Sequence, residues 1–215
     1  MNLDQARFFM VEQQIRPWDV LDPQVLDLLE NLPRHQFVAE SQQKLAYSDI
    51  ELPIGEGQQM LAPKIEAKIM QAIDVAESDE VLEIGTGSGY MTALLASLAQ
   101  SVTTVELFES LQTTAKTRLG SFDNIKFYLG DASQTWNDLK DYDVIVLTGS
   151  CSKLPDSYKT KLKLGGRLFA IVGQSPAMEA LLVTRLSEHE WLEESLFETV
   201  APPLVNAEAK QTFKF

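Results

Sequence analysis

With 215 residues, the chain can bury one sizeable core and is short for two enzyme-sized domains. Its 45% hydrophobic and 23% charged residues exclude a disordered composition, and a net charge of −13, from 31 Asp+Glu against 18 Lys+Arg, opposes nonspecific binding to nucleic acid or an anionic membrane. One cysteine excludes an internal disulfide, no Cys/His cluster points to a metal site, and no apolar run approaches a membrane span.

The N-terminus, MNLDQARFFMVEQQIRPWDV, has charges inside its apolar stretch and is not a secretory signal, so a soluble cytoplasmic protein is expected. Nothing in the sequence fixes an oligomeric state. Leu3, Ala6, Phe9, Met10 and Gln13 stand at helical spacing and predict an amphipathic helix stopping before Pro17. A second helix begins with Asp22 as N-cap and Pro23 at its first position. The segment AYSDIELPIGEGQQMLAP reads as extended or looped, and Pro63 starts a helix over Ile65 to Ile73. Residues 1–75 thus form a helical cover, without a linker, on a 76–215 core within one domain.

From residue 80 the chain alternates. Apolar-rich strands are predicted at 80–85, 101–106, 125–130, 142–149 and 166–173, with helices at about 88–98, 108–118 and 155–162. This is a mainly parallel α/β sheet. Near the end, LLVTRLSE and WLEESLFETV read as a hairpin around Glu188 to Glu190, preferred over one long helix. Five bases fall in KLPDSYKTKLKLGGR, 153–167, and read mainly as a solvated face.

The first of these strands runs into VLEIGTGSGYMTALLASLA, with Gly85, Gly87 and Gly89 in the turn. Such glycines permit positive φ and close approach of a ligand. A dinucleotide fingerprint would place its last glycine at Tyr90, and a phosphate loop would need a Gly-Lys-Ser/Thr that is absent. Glu106 ends the next strand, 21 positions after Gly85, where a carboxylate can accept ribose hydroxyls. Asp131, in GDAS, follows the third strand at the same sheet edge. Each acid alone also reads as a solvated strand end or helix cap; together with the glycines they converge on one crevice.

EIGTGSGYMTALLA, the acid of VE, GDA, YDVIVLTG and LKLGGRLFAIVG resemble the ordered motifs of class I S-adenosylmethionine-dependent methyltransferases. ELPIGEGQQMLAP followed by VLEIGTGSGY resembles the protein-L-isoaspartate O-methyltransferase family, over roughly residues 30–175. The resemblance implies a Rossmann-like, mainly parallel seven-stranded sheet with an antiparallel last strand and helices on both faces. It implies S-adenosyl-L-methionine as cofactor, with Glu83 and Gly85, Thr86, Gly87, Ser88 and Gly89 on the methionine and ribose side. Glu106 would take the ribose hydroxyls, Leu107 would lie beside the adenine, and Asp131 and Ala132 would face the adenine edge. Glu83 also reads as a polar strand end near helix amides.

The resemblance implies carboxyl O-methylation of a protein or peptide, with isoaspartyl residues as first candidate. A carboxylate is charged at neutral pH and needs no general base, so the lack of an obvious catalytic His or Cys fits. His35 and His189 read as structural or surface residues, and Cys151 as no nucleophile. Two departures lie on the acceptor side. The family has a serine where this chain has Leu61, leaving Gln58, Gln59 or backbone amides to satisfy an acceptor carboxylate; and GDASQTW replaces the usual glycines. A different small-molecule or peptide acceptor, or a noncatalytic cofactor-binding module, are the competing readings. Trp18 reads as a core or lid anchor or a pocket wall, and Arg16 as a ligand for an acidic substrate or one half of a salt bridge. Phe213 or Phe215 is expected to dock on the body.

Overall fold

The structure, a computed structural model, describes residues 2–208. Phe213 and Phe215 lie outside the described residues.

Helix α1 (Leu3–Met10) is capped by the Asn2 side chain, which accepts from the Asp4 and Gln5 amides. The chain then widens into a π turn, Val11–Ile15, and tightens into a 3₁₀ turn, Arg16–Trp18, before Asp19 turns left-handed. Helical structure therefore carries through Pro17 rather than stopping before it, because a proline at the start of a new turn loses no hydrogen bond. The change of helical pitch also shifts the inward face. Met10, Val11 and Ile15 are buried, whereas Phe9 and Gln13 of the expected stripe are exposed.

Helix α2 (Pro23–Asn31) begins as expected, with Asp22 Oδ1 accepting from the Gln24 and Val25 amides at 2.8 and 3.1 Å. The extended segment folds into a hairpin of β1 (Leu52–Gly55) and β2 (Gln58–Met60). Its two-residue turn, Glu56 and Gly57, has positive φ at both positions, the geometry that matches strand twist. Helix α3 (Pro63–Ile73) follows.

The main sheet contains β3 (Glu80–Ile84), β4 (Ser101–Glu106), β5 (Ile125–Leu129), β6 (Tyr142–Cys151), β7 (Leu162–Gln174), β8 (Ala177–Arg185) and β9 (Trp191–Thr199). Their order is β5-β4-β3-β6-β7-β8-β9. The first five of that order run parallel. The last strand, β9, pairs antiparallel as expected; β8 also opposes β7, so the strand that runs against the sheet direction is β8. The β8–β9 turn falls at the expected polar residues, with the Leu186 amide donating to the Glu190 carbonyl.

Crossovers α4 (Tyr90–Leu98) and α5 (Glu109–Arg118) link β3, β4 and β5; α6 (Asp156–Thr160) lies between β6 and β7. Alternate residues feed two apolar layers. Val81, Val102, Val146 and Phe169 pack with α2 to α5, and residues from α1 and its π turn join this same cluster. Leu82, Val105, Leu147 and Leu168 pack with Tyr158 of α6 and with Trp136. The direction of winding reverses between β3 and β6, which opens a crevice beyond their carboxyl ends.

Four of the five bases in 153–167 are paired with acids: Lys159 with Glu193, Lys161 with Asp138 at 2.7 Å, Lys163 with Glu80 and Asp143 at 2.9 and 2.8 Å, and Arg167 with Asp79 at 2.9 Å. Those pairs tie β7 to β3 and β6 and α6 to β9, so most of the cluster's charge is locally neutralised.

Candidate functional site

The turn after β3 has positive φ at Gly85, Gly87 and Gly89, and the three glycines serve different ends. At Gly87 a Cβ would come to 3.1 Å from Ile54 Cδ1, inside the gap between the turn and the β1–β2 hairpin. At Gly89 it would meet Leu119 and Ala115 at 3.1 and 3.3 Å. Gly87 therefore lets Ile54 of the hairpin close on the turn at the border of the crevice, whereas Gly89 lets α4 approach α5. Gly85 lies against Thr148, whose hydroxyl donates to the Ile84 and Gly85 carbonyls at 2.9 and 2.6 Å.

The Glu106 carboxylate, at the end of β4, closes back on this turn. Its Oε2 accepts from the Gly87 amide at 2.8 Å, and Oε1 from the Leu107 and Phe108 amides at 2.9 and 3.0 Å. Asp131, just beyond β5, accepts from the Ser133 amide at 2.9 Å and from Asn206 Nδ2 at 2.8 Å. The Ser133 amide, foremost, holds the Asp131 carboxyl below the usual carboxylate range, and Asn206 adds to it.

These groups border one open crevice, with about 680 Å³ of space counting its mouth. Gly85, Gly87, Glu106, Leu107, Asp131 and Ala132 line it on the sheet side. Gln58, Gln59 and Leu61 line it on the hairpin side. A smaller adjoining chamber is bordered by Thr86, Gly87 and Ser88, with Gln59, Leu61 and Glu66 opposite. The expected residues are thus brought together, with two exceptions. Gly89 is a packing residue, and Glu83 lies beneath the turn rather than on the crevice wall.

Glu83 is fully buried on the face of β3 that α4 covers. Its Oε2 accepts from Thr92 and Thr104 hydroxyls, both at 2.6 Å, and Thr104 reaches Thr86 at 2.6 Å. Burial, the largest cause, pushes its carboxyl up to about 8 despite those two hydroxyl bonds, and Glu106 adds to the rise. Burial thus favours the protonated form of Glu83, which supports the turn from beneath.

Leu61 is 6% exposed, and its side chain presents no donor to the crevice it lines. Its backbone carbonyl accepts from Arg34. In the GDASQTW segment, Trp136 packs over Gly130, where a Cβ would stand 3.1 Å from the indole.

Two contributors escaped the sequence reading. Pro202, Pro203, Leu204 and Val205 form a wall of the crevice. They are held by the Ser150 amide donating to the Pro202 carbonyl and the Leu204 amide donating to the Ser150 carbonyl, each at 2.9 Å. The signal for this was the small pair Gly149–Ser150, since a Cβ at Gly149 would meet Leu204 at 3.0 Å. The second is the fully buried Arg34, paired with Glu66 at 2.9 Å. Burial pushes Glu66 up to about 7 while Arg34 draws it back.

Other singled-out residues stand away from the crevice. Arg16 pairs with Glu12 at 2.6 Å, and half-exposed Trp18 has the Lys64 ammonium 4.2 Å from its ring centroid. His35 Nδ1 lies 2.6 Å from the Tyr47 hydroxyl, and His189 is on the surface. Cys151 is buried, which pushes its thiol up to about 11 and makes it a poor nucleophile. Among the described residues no group of three His, Cys, Asp or Glu could hold a metal ion, and no helix is long and apolar enough to cross a membrane.

The family model described as Protein-L-isoaspartate(D-aspartate) O-methyltransferase matches residues 7–209. Protein-L-isoaspartate O-methyltransferase 1 of Geotalea uraniireducens is 38% identical over 209 residues, 96% of this chain and 95% of that one. The protein-L-isoaspartate O-methyltransferase of Syntrophus aciditrophicus is 40% identical over 189 residues, 87% of each chain. A solved protein-L-isoaspartate O-methyltransferase superposes with a TM-score of 0.79 at 23% identity, covering 94% of this chain and 65% of that one. A Plasmodium falciparum structure described as an enzyme of the same activity, in complex with S-adenosyl-L-homocysteine, superposes with a TM-score of 0.77 at 19% identity, covering 95% and 98%. These two structural likenesses establish the class I methyltransferase fold.

Proposed function

Since this chain belongs to the protein-L-isoaspartate(D-aspartate) O-methyltransferase family, and is an S-adenosylmethionine-dependent methyltransferase, we propose that its acceptor is a carboxylate on a protein or peptide, isoaspartyl residues first. One observation carries this reading. Among the described residues, the crevice wall holds no His, Cys, Lys or Tyr. Its two acids are also committed, Glu106 to three backbone amides and Asp131 to Ser133 and Asn206. Glu66, on the adjoining chamber, is engaged by Arg34; a carboxylate acceptor needs none of these acids as a base, because it arrives ionised.

The residues present fit the cofactor. Gly87 borders the crevice without a side chain, Glu106 would offer its carboxylate oxygens to the ribose hydroxyls, and Leu107 would supply an apolar surface beside the adenine. Asp131 and Ala132 would hold the adenine edge, and Gly85, Thr86 and Ser88 would hold the methionine end. S-adenosylmethionine supplies an electrophilic methyl group on a sulfonium. The chain's own contribution is alignment: the glycine turn and Glu106 would fix one partner and the hairpin side the other, with Pro202–Val205 walling the crevice.

Leu61 favours a second acceptor within the same reaction class, a carboxylate in a more apolar setting. The nearby Thr148 hydroxyl is already donated to backbone carbonyls and cannot replace the missing serine. The deciding experiment offers an isoaspartyl peptide, its normal aspartyl isomer and peptides bearing a terminal carboxylate, with labelled methyl donor. Base-labile label on the isoaspartyl peptide alone supports the first acceptor; label confined to another carboxylate supports the second. Label that resists base would overturn carboxyl methylation.

A further inference from the structure

Several parts of the acceptor side converge on one buried side chain. Arg34, in the 3₁₀ turn Arg34–Phe37, engages all its nitrogens. Nε donates to Glu66 Oε2 at 2.9 Å, Nη1 to the Ala46 carbonyl at 2.7 Å, and Nη2 to the Leu61 carbonyl. Its Cζ stands 5.5 Å from the ring centroid of Tyr90, the first residue of α4 after the glycine turn. Arg34 is fully buried and Glu66 is 2% exposed, in the first turn of α3. Glu66 and Leu61 share the wall of the small chamber with Thr86, Gly87 and Ser88.

An ion pair this deep is an inefficient way to stabilise a fold, because desolvating both charges offsets much of their attraction. Such a pair does fix geometry: the carboxylate holds the planar guanidinium in one orientation, and the guanidinium then holds two carbonyls. One of those carbonyls belongs to Leu61, whose side chain faces the crevice.

We propose that Glu66 is a positioning residue of the acceptor wall: acting through Arg34, it fixes the Leu61 backbone and so sets where the acceptor meets the glycine turn. The proposal rests on the crevice being the methyl-transfer site, as argued above. Glu66 borders the small chamber but not the part of the crevice that Glu106 and Asp131 line, so the larger effect is expected on the acceptor rather than on cofactor affinity. Hydrophobic residues of similar volume could fill the space of the pair but could not orient the Leu61 carbonyl.

The test compares wild type with Glu66→Gln, Arg34→Lys, Leu61→Ala and the combined Glu66→Gln/Leu61→Ala. Kinetics use an isoaspartyl peptide, and S-adenosylhomocysteine binding is followed by calorimetry. Glu66→Gln and Arg34→Lys should each raise the peptide KM about tenfold, the equivalent of roughly one lost hydrogen bond. In both, kcat and S-adenosylhomocysteine affinity should stay within about twofold. In the Leu61→Ala background, Glu66→Gln should add less than about twofold, because the wall it positions is gone. Additive effects, or a KM rise matched by loss of S-adenosylhomocysteine affinity, overturn the proposal. If Glu66→Gln does not fold, Arg34→Lys takes its place in the cycle. If the wild type leaves the isoaspartyl peptide unmethylated, the acceptor reading fails by itself. The positioning role is then decided by amide hydrogen exchange, where either variant should speed exchange at residues 58–62 and leave 85–89 unchanged. Unaltered exchange at 58–62 overturns it.

Discussion

The Gly87 amide donates to Glu106 Oε2 at 2.8 Å, which makes the turn after β3 and the carboxylate at the end of β4 one structural unit. The parallel register of β3 and β4, with Ile84 opposite Val105, brings the two strand ends level and makes this contact possible. The crevice floor is therefore assembled by the sheet, independently of the hairpin above it.

Replacing Glu106 with glutamine should weaken S-adenosylhomocysteine binding. One acceptor oxygen becomes a donor that faces either the Gly87 amide or the Leu107 and Phe108 amides, and the turn loses a charge-assisted bond. A loss of roughly 1.5–3 kcal/mol is expected for hydrogen bonds to a charged group, which is about 10- to 150-fold in Kd. Calorimetry on a variant with a native melting profile measures it. Affinity unchanged within about twofold would remove Glu106 from the cofactor site.

Gly87→Val should act on the same affinity by a different route. A valine at φ +53 is strained by roughly 1–2 kcal/mol, and its Cβ, already 3.1 Å from Ile54, projects further into the gap. At least about a tenfold loss of S-adenosylhomocysteine affinity is expected, along with a lower Tm. Gly57→Ala is the control, since its φ of +70 imposes strain but its Cβ meets nothing within 4 Å. It should lower Tm and spare binding. If both variants spare binding, the turn only shapes the backbone.

What the sequence disclosed follows from which interactions are local. The parallel strands are covered on both faces and read as apolar runs, so β3, β4 and β6 are visible directly. Asp22 and Pro23 announce α2 through bonds within three residues. Glu106 and Asp131 converge on the glycines because parallel strands end at the same edge, a consequence of topology that spacing can report. Glu83 shows the limit of spacing. It stands two residues before Gly85, yet strand alternation turns it toward α4 and Thr92. The Pro202–Val205 wall and the Arg34–Glu66 pair depend on contacts between distant segments with no local period to reveal them. The wider turn at Val11–Ile15 likewise has no distinct sequence signature, and it shifted the inward face of the first helix.

Glu83 gives stability a pH dependence with a definite sign. Its folded carboxyl is raised from 4.5 to about 8 by burial, so the folded state binds the proton more tightly than the unfolded chain. The associated stability is fully present below pH 4.5 and is lost as pH rises through about 8. Glu83→Gln keeps the shape and removes the titration. The difference in unfolding free energy, variant minus wild type, should therefore become more favourable to the variant from pH 5 to pH 9. Denaturant melts across that range read it directly. A difference that stays flat would mean that Glu83 is ionised in the folded protein.

The last prediction concerns Leu61→Ser, which separates a repair enzyme lacking one donor from an enzyme with a different acceptor pocket. Restoring a hydrogen bond to a buried charged acceptor could contribute roughly 1–3 kcal/mol, about five- to 150-fold in kcat/KM. The structure argues for less than that on an isoaspartyl peptide. The Leu61 backbone is already fixed by Arg34, so a serine would not be free to seek the acceptor. Trp136 continues to fill the space over Gly130, and the substitution does not relieve it. A gain below about fivefold is expected, with S-adenosylhomocysteine affinity unchanged because Glu106 and Gly87 are untouched. For a carboxylate acceptor that uses the apolar wall, the same change should lower kcat/KM, since a buried leucine contributes roughly 1.5–3 kcal/mol of apolar contact. The measurement is a paired determination of kcat/KM and S-adenosylhomocysteine Kd for wild type and variant. A gain near 150-fold on the isoaspartyl peptide would show that one missing hydroxyl was all that separated this chain from full repair activity. A large loss of S-adenosylhomocysteine affinity in a folded variant would place Leu61 on the cofactor, contrary to the division of the crevice drawn from the glycine turn and the hairpin.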